Sequence, residues 1–305
     1  MIEKTVNNPE NKVPIKTLCE LAGVPRSGYY KWLKASENPE CGKKDKELQD
    51  LLDFRLILDA YNFRGYDKGV LGIYMRLLHV GIRMNHKKIR RLMHKFGLKC
   101  PIRKANPYRH MSKATKTNAV ADNSLRRRFK EFGPRKVFLT DITYIPFKQK
   151  FLYLSVIMDA YTEQVMSYVL SSSLEVDFVL ESIEKLFENH AESIEETALI
   201  HSDQGTHYTS TSFRNLINDF GLRQSMSRRG NCWDNAPQES FFGHMKDDLR
   251  HKFKQADSFE EIKYLIDDWM DYYNNDRYKT GLGYLSPNEF YKYITTGEYP
   301  LTMLR

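Results

Sequence analysis

The sequence SRRGNCWDNAPQESFFGHMKDDLR, residues 227–250, begins as a basic loop rich in Gly and Asn and continues as a helix. Pro237 suits the first turn of that helix, because its missing N–H would have no partner there in any case. The helix carries Glu239 and, seven residues later, Lys246. At 100° per residue these two lie about 20° apart on the helical wheel, with the small Gly243 between them. One face therefore presents a carboxylate and an amine.

Two upstream segments also carry an acid in an apolar setting. VFLTDITYIP, residues 137–146, is a β-rich run that contains Asp141, and ALIHSDQGTHY, residues 198–208, is an apolar run that leads to Asp203. Each acid stands where a strand pattern calls for an apolar residue or for the strand's end. A lone Glu on an amphipathic helix is usually solvated, but these two acids offer it partners.

Three converging carboxylates would repel one another unless divalent cations lay between them. Such a cluster is typical of two-metal phosphoryl transfer, in which ions about 3.5–4 Å apart activate the attacking oxygen and stabilise the leaving one. Oxygen ligands alone favour magnesium or manganese over zinc. Asp141, Asp203 and Glu239 are therefore the predicted catalytic and metal-binding residues.

Two other acids are rivals for these roles. Asp159 stands at a strand end before a turn, where ordinary turn chemistry is sufficient to explain it. Asp177 lies near the start of a helix, where an acid complements the helix dipole.

The spacing and the flanking words resemble a known family. Between Asp203 and Glu239 lie 35 residues, the D,D(35)E pattern of retroviral-type integrases and related transposases. HSDQGTHYTS, MSRRGNCWDNAPQESFFGHMK and YYNNDRYKTGLGYLSPNEF resemble the OrfB-type transposases of the insertion-sequence-three family. The resemblance covers roughly residues 15–293. It implies that the three acids meet and hold two Mg²⁺ ions, for which Mn²⁺ can substitute.

The element order predicts the fold of the second half. Three strands are expected at about 137–147, 151–158 and 164–170, and two further strands alternate with three helices up to residue 255. The order β-β-β-α-β-α-β-α is that of the RNase H-like fold, an α/β core with a mixed five-stranded sheet and flanking helices. An all-α helix-turn-helix DNA-binding region is predicted to precede it.

The charge is divided unevenly along the chain. Residues 1–136 hold 31 Lys and Arg against 13 Asp and Glu, whereas residues 137–305 hold 16 against 26. Such a division is typical of a polyanion-binding module joined to a metal-dependent catalytic module. A basic surface that is merely solvated is the alternative.

Two segments of the basic half are typical of a helix-turn-helix. Residues 14–34 combine two short helices around Ala22-Gly23-Val24, with Arg26 opening the second helix, although ordinary packing explains this segment equally well. Residues 63–100 predict two amphipathic helices around Gly81. The second of them carries the predicted DNA contacts Lys87, Lys88, Arg90 and Arg91.

Five domains are predicted from these patterns. Residues 1–40 form a helix-turn-helix-like segment and residues 41–100 a second helical DNA-binding domain, with a polar linker at 38–45. Residues 101–135 form a basic linker that contains Arg126, Arg127 and Arg128, residues 136–255 the catalytic core, and residues 256–305 a helical extension packed on that core.

Further residues near the acids are predicted to contact DNA. Lys246, Arg228 and Arg229 are expected to hold the strand by its phosphates. His201 and His207 flank Asp203 and are possible accessory residues, which could orient a carboxylate or touch a phosphate.

The predicted function is a DNA transposase that cleaves the ends of an insertion element and joins the 3′-hydroxyls to target DNA. The alternatives are a structure-specific nuclease of the same fold, which does not join strands, and a non-catalytic DNA-binding regulator or relic. Predicted partners are double-stranded DNA (terminal inverted repeats and target), further copies of the chain, and an upstream-frame OrfA protein or fusion.

Hydropathy and cysteine content argue against membrane-spanning, disulfide-bonded and zinc-binding classes of protein. No apolar run reaches the roughly 18 residues that span a bilayer, so no membrane partner is expected. Four scattered cysteines without a CxxC pair predict reduced thiols rather than disulfides or a zinc module. The expected location is the cytoplasm of a bacterium, in association with the nucleoid.

Overall fold

The computed structural model describes residues 2–37, 39–101, 123, 125, 130–227 and 235–301. The chain divides into two compact units. The smaller unit comprises Met1–Asp59 and Lys87–Leu98, and the larger unit comprises Ala60–His86 and Lys99–Arg305.

The smaller unit is helical. It contains α1 (Ile2–Val6), α2 (Ile15–Leu21), α3 (Arg26–Glu37), most of α4 (Pro39–Asn62) and nearly all of α6 (His86–Lys95). The bend between α2 and α3 lies at Gly23, whose φ of +63° is a left-handed value that glycine adopts without steric cost. As predicted from the sequence, α3 begins at Arg26.

The polar linker predicted at residues 38–45 is wrong. Helix α4 begins at Pro39 and runs without interruption to Asn62. Proline is well suited to the first turn of a helix, and the Glu and Lys residues that follow are good helix formers. These preferences outweigh the cost of Gly42, about 1 kcal/mol relative to Ala.

Helix α5 (Val70–His79) belongs to the larger unit. The His79 ring stacks on Tyr278 with centroids 3.6 Å apart, and His79 Nε2 lies 3.1 Å from a carboxylate oxygen of Glu289. The two helices predicted around Gly81 therefore form, but α6 is grouped with the smaller unit. The five domain limits given above remain predictions.

A five-stranded mixed sheet forms the centre of the larger unit. Its strands are β1 (Val137–Phe147), β2 (Lys150–Asp159), β3 (Val165–Ser171), β4 (Leu199–Ser202) and β5 (Arg223–Met226). Their order is β3-β2-β1-β4-β5. Strands β1, β2 and β3 are antiparallel neighbours, whereas β4 pairs parallel with both β1 and β5. This arrangement confirms the RNase H-like sheet predicted from the sequence.

Two apolar cores lie on opposite faces of this sheet. One contains Phe138 and Ile157 of the sheet and Ile183 of the helix that follows β3. The other contains Val156 of the sheet and Trp269, which is fully buried. Alternate residues of each strand point to opposite faces, so the predicted β-rich runs supply both cores. The helices are α7 (Asp177–His190), α8 (Thr206–Thr209), α9 (Thr211–Asp219), α10 (Ala236–Gln255), α11 (Phe259–Asn275) and α12 (Pro287–Thr296).

The C-terminal helices brace the sheet. The Asn274 side chain accepts a hydrogen bond from Val165 N and donates one to Val165 O, each at 2.9 Å, and so pairs with the edge strand β3 as another strand would. Lys279 Nζ lies 2.7 Å from a carboxylate oxygen of Glu163 at the turn before β3. Within the described residues, no helix is both long enough and apolar enough to cross a membrane.

Candidate active site

Two of the predicted acids lie side by side on neighbouring parallel strands, Asp141 within β1 and Asp203 directly after β4. β1 pairs with β4 up to the partners Leu139 and His201. Asp141 and Asp203 each stand two residues beyond this pair, so the register brings them to the same edge of the sheet. The parallel register of β1 and β4 thus places the two carboxylates next to each other.

A tight turn fixes Asp203. Its Oδ1 accepts a hydrogen bond from Gly205 N at 2.8 Å, just before α8 begins. A Cβ atom added at Gly205 would lie 2.8 Å from the same oxygen, closer than such contacts occur. Any other residue at this position would therefore require the Asp203 carboxylate to shift.

Helix α10 brings the third acid. It begins at Ala236 with Pro237 in its first turn, as predicted, and Glu239 lies in that first turn. The preceding residue, Gln238, is fully buried, and its Nε2 donates a hydrogen bond to Val156 O at 3.0 Å. Val156 pairs directly with Asp141 across β1 and β2. The first turn of α10 is therefore attached to the sheet beside Asp141.

The electrostatics show that the three acids are close. Burial raises the pKa of Asp141 to about 8, and the negative charges of Asp203 and Glu239 add to the rise. A hydrogen bond from Ile142 N, 2.8 Å from Asp141 Oδ1, and the positive charge of Lys246 lower the pKa of Asp141. Lys246 is thus near the acids, as its position on the helical wheel predicted.

Asp203 is more exposed to solvent than Asp141. Burial raises the pKa of Asp203, while the hydrogen bond from Gly205 N and the charge of His207 lower it. Within the part of the chain that the structure describes, no three His, Cys, Asp or Glu side chains already stand in a geometry that could hold a metal ion. The three acids share a site, but as placed they do not form a coordination sphere.

The two accessory histidines differ in position. His201 is fully buried, with Nδ1 2.9 Å from Ser225 Oγ and Nε2 3.3 Å from Ser227 Oγ. Its ring joins β4 to β5 and is not available to a phosphate. His207 is half-buried, and its Nε2 lies 2.6 Å from Leu174 O, while its charge acts on Asp203.

A cluster of three side chains that holds α10 in place was not predicted from the sequence. It consists of Asp248, Trp269 and Arg277 and is called the clasp. Asp248, nine residues after Glu239, accepts hydrogen bonds from Arg277 Nη1 at 2.7 Å and from Trp269 Nε1 at 3.1 Å. These contacts hold α10 against α11 and the segment after it. Arg277 therefore stabilises the helix that carries Glu239, a role that no local sequence pattern indicates because 29 residues separate the partners.

The predicted DNA contacts on α6 divide into two groups. Arg91 makes two hydrogen bonds to Asp50, at 2.7 and 2.8 Å, and Lys88 pairs with Asp53. These partners lie on α4, and the Arg91 hydrogen bonds are the chief reason that the pKa of Asp50 lies well below its usual range. Lys87 and Arg90 are exposed. Arg126, Arg127, Arg128, Arg228 and Arg229 lie outside the described residues.

The sheet order and the three acids at its edge define an integrase-type RNase H-like core. Comparison with known proteins agrees with this class. Residues 117–232 and residues 220–287 match the integrase core domain, and residues 47–106 match an HTH-like domain.

Relatives extend over almost the whole chain. It is 31% identical over 287 residues to the putative transposase InsK for insertion sequence element IS150 of Escherichia coli, covering 94% of this chain and 96% of that protein. It is 34% identical over 230 residues to the transposase for insertion sequence element IS904 of Lactococcus lactis, covering 74% and 87%. The chain belongs to the insertion-sequence-three family of DNA transposases, which are DDE polynucleotidyl transferases.

Among solved structures, the catalytic core domain of BIV integrase is similar, with a TM-score of 0.42 and 16% identity, covering 54% of this chain and 99% of that one.

Proposed function

We propose that this transposase cleaves its element ends and joins the 3′-hydroxyls to target DNA with Asp141, Asp203 and Glu239 as its catalytic carboxylates. The observation that carries the proposal is the shared position of the acids: the register of β1 and β4 places Asp141 beside Asp203, and the first turn of α10, which holds Glu239, bonds to Val156 opposite Asp141. Burial and the charges of both other acids raise the pKa of Asp141. Carboxylates held together at such an electrostatic cost are typical of sites that bind cations or move protons.

The donor set fits divalent cations. Three carboxylates offer oxygen ligands only, which suit Mg²⁺ or Mn²⁺. When bound, a pair of such ions activates the attacking oxygen and stabilises the departing one. The acids repel one another in the structure, so we infer that small side-chain rotations bring them into ligating positions when cations bind. Glu239 needs to move only a short distance, because the first turn of α10 is already bonded to the sheet.

The chain's own residues position the DNA. Lys246 lies near the three acids, where an amine can contact a phosphate next to the reacting bond. Arg228 and Arg229 precede α10 in the sequence and are proposed to hold the same strand. Chemistry of this kind depends on alignment and charge neutralisation, without a covalent bond between enzyme and DNA.

The proposed partners follow from this activity. The basic segment with Arg126, Arg127 and Arg128, together with Lys87, Lys88, Arg90 and Arg91, would contact the backbone of the terminal repeats and of target DNA. An insertion element has two ends, so we propose a homo-oligomer on DNA, with an upstream OrfA protein or fusion supplying further contacts. DNA as substrate also favours association with the nucleoid.

The test is cleavage and joining of a labelled element end in Mg²⁺. Asp141→Asn, Asp203→Asn and Glu239→Gln should each lose both reactions by at least about 1,000-fold, and any pair should be little worse than one, since the acids act as a unit. DNA affinity without metal should be retained. Asp177→Asn, an exposed acid in the first turn of α7, is the matched control.

A direct metal measurement accompanies the assay. Mn²⁺ should raise the melting temperature of the parent and not that of Glu239→Gln. Full activity in Glu239→Gln would refute the proposal. Cleavage without joining in the parent would instead make the chain a nuclease.

A further inference from the structure

The β1–β2 hairpin extends beyond the acids. β1 continues for six residues after Asp141 to Phe147, and the chain returns at Lys150 as β2. The pairing of β1 with β4 ends at Leu139. Among the described residues, no strand therefore pairs with that edge of β1 beyond Asp141.

Three aromatic rings share one face of this hairpin. Tyr144 pairs directly with Tyr153, and their ring centroids lie 5.2 Å apart at 81°. Phe151 lies 6.1 Å from Tyr144 at 84°. Tyr144 is 46% exposed and Phe151 51% exposed, so two adjacent large rings are accessible to solvent. Together, Tyr144, Phe151 and Tyr153 are called the hairpin aromatic face.

Two lysines lie at the tip of the same hairpin. Lys148 and Lys150 are both exposed. Lys148 has a φ of +51°, a left-handed value that costs a non-glycine residue about 1 kcal/mol or more. The hairpin thus carries a cation at a strained position where glycine or asparagine would fit without that cost.

We propose that the hairpin aromatic face binds unpaired bases of the DNA next to the reacting phosphate, with Lys148 and Lys150 contacting the flanking phosphates. Rings stack on any base whose face is free, and neighbouring cations hold the backbone. Protein interfaces are also rich in Tyr and Phe but are depleted in lysine, so the two lysines at the tip favour DNA over a protein partner. Tyr144 is three residues from Asp141 on β1, about 10 Å along the strand, a span of one or two nucleotides.

This inference rests on the proposed function, since it assigns the DNA strand to an edge of the catalytic site. The odd spacing on β1 directs Asp141 and Tyr144 to opposite faces of the sheet. A strand that crosses the uncovered edge of β1 can reach both faces. The hairpin aromatic face would therefore hold nucleotides on one side of the reacting phosphate, and the two lysines at the tip would hold the backbone further from it.

The test uses the full chain and a single-stranded oligonucleotide of about 12 nucleotides that carries 2-aminopurine, without divalent metal, so that cleavage does not contribute. Phe151→Ala should weaken its binding by about 10-fold and abolish the fluorescence change that stacking causes. Phe151→Trp should bind at least as well as the parent. Phe151→Leu keeps the apolar area but loses the ring face, and should behave like Phe151→Ala.

Tyr264→Ala is the matched control, since Tyr264 is a 71% exposed aromatic on α11. It should bind the oligonucleotide like the parent. Equal binding by Phe151→Leu and the parent, equal losses in Phe151→Ala and Tyr264→Ala, or a change of oligomeric state in Phe151→Ala would each overturn the inference.

Cleavage of an element end by the parent, measured separately in Mg²⁺ with the proposed OrfA protein supplied, separates the two proposals. If the parent cleaves the element end but the Phe151 variants bind the oligonucleotide as tightly as the parent, only the proposed role of the hairpin aromatic face is refuted. If the parent does not cleave but the stacking signal depends on Phe151, the proposed catalytic function is refuted and the base-binding role of the hairpin aromatic face still holds.

Discussion

Arg277→Met tests the clasp that holds α10. Arg277 Nη1 donates to Asp248 at 2.7 Å, and the two side chains are only 19% and 13% exposed. Removing one partner of a buried ion pair leaves the other charge unpaired and typically costs about 3 kcal/mol. For a folded unit of roughly 150–250 residues, that cost should lower the melting temperature by about 6–12 °C, measured by calorimetry or near-UV circular dichroism.

A double-mutant cycle decides whether the pair itself is responsible. Asp248→Asn with Arg277→Met removes both charges, and its destabilisation should fall short of the sum of the single effects by more than about 1 kcal/mol. The control is Lys263→Ala, which breaks an exposed pair with Asp267 on α11 and should cost less than about 0.5 kcal/mol. Strictly additive single effects would refute the clasp.

Three further predictions concern other parts of the chain. Gly205→Ala should leave the fold intact but lower cleavage at least about 10-fold, because the new Cβ would press on the Asp203 carboxylate; unchanged cleavage rates would contradict this. Burial lowers the pKa of Lys68 to about 8, so the unfolded chain binds that proton more tightly, and the contribution of Lys68 to the free energy of unfolding should rise from about pH 8 to pH 10.4. The urea midpoint of the parent relative to that of Lys68→Met should therefore increase between these two pH values, and an unchanged difference would contradict this. Replacing both Lys87 and Arg90 with Ala should weaken duplex binding and reduce the slope of log affinity against log salt by about 2, as measured by a salt titration.

The catalytic half was largely predictable because each element follows a strong local pattern. β1 was predicted at residues 137–147 and occupies those residues. Pro237 marked the start of α10. Helix α12 was not predicted, although its signal is present in the sequence. Ser286 and Glu289 form a capping box, with Pro287 in the first turn between them.

The pairings between distant residues could not be predicted. Asp50 and Arg91 are 41 residues apart, and a basic helix gives the same pattern whether its cations face DNA or an acid of the same unit. Sequence alone therefore treated Arg91 and Arg90 alike. The structure separates them, because only a folded chain shows which cation already has a carboxylate beside it.

The same reasoning separates structural from catalytic acids. Asp159 and Asp141 both lie in the central strands, and the sequence offered both as candidates. Asp159 is fully buried and accepts hydrogen bonds from the backbone N–H groups of Arg135, Tyr161 and Thr162, at 2.8, 2.7 and 3.2 Å. Its charge is thus satisfied within the protein, as stability requires. Asp141 instead faces two further carboxylates, an unfavourable arrangement that the proposed cations would relieve.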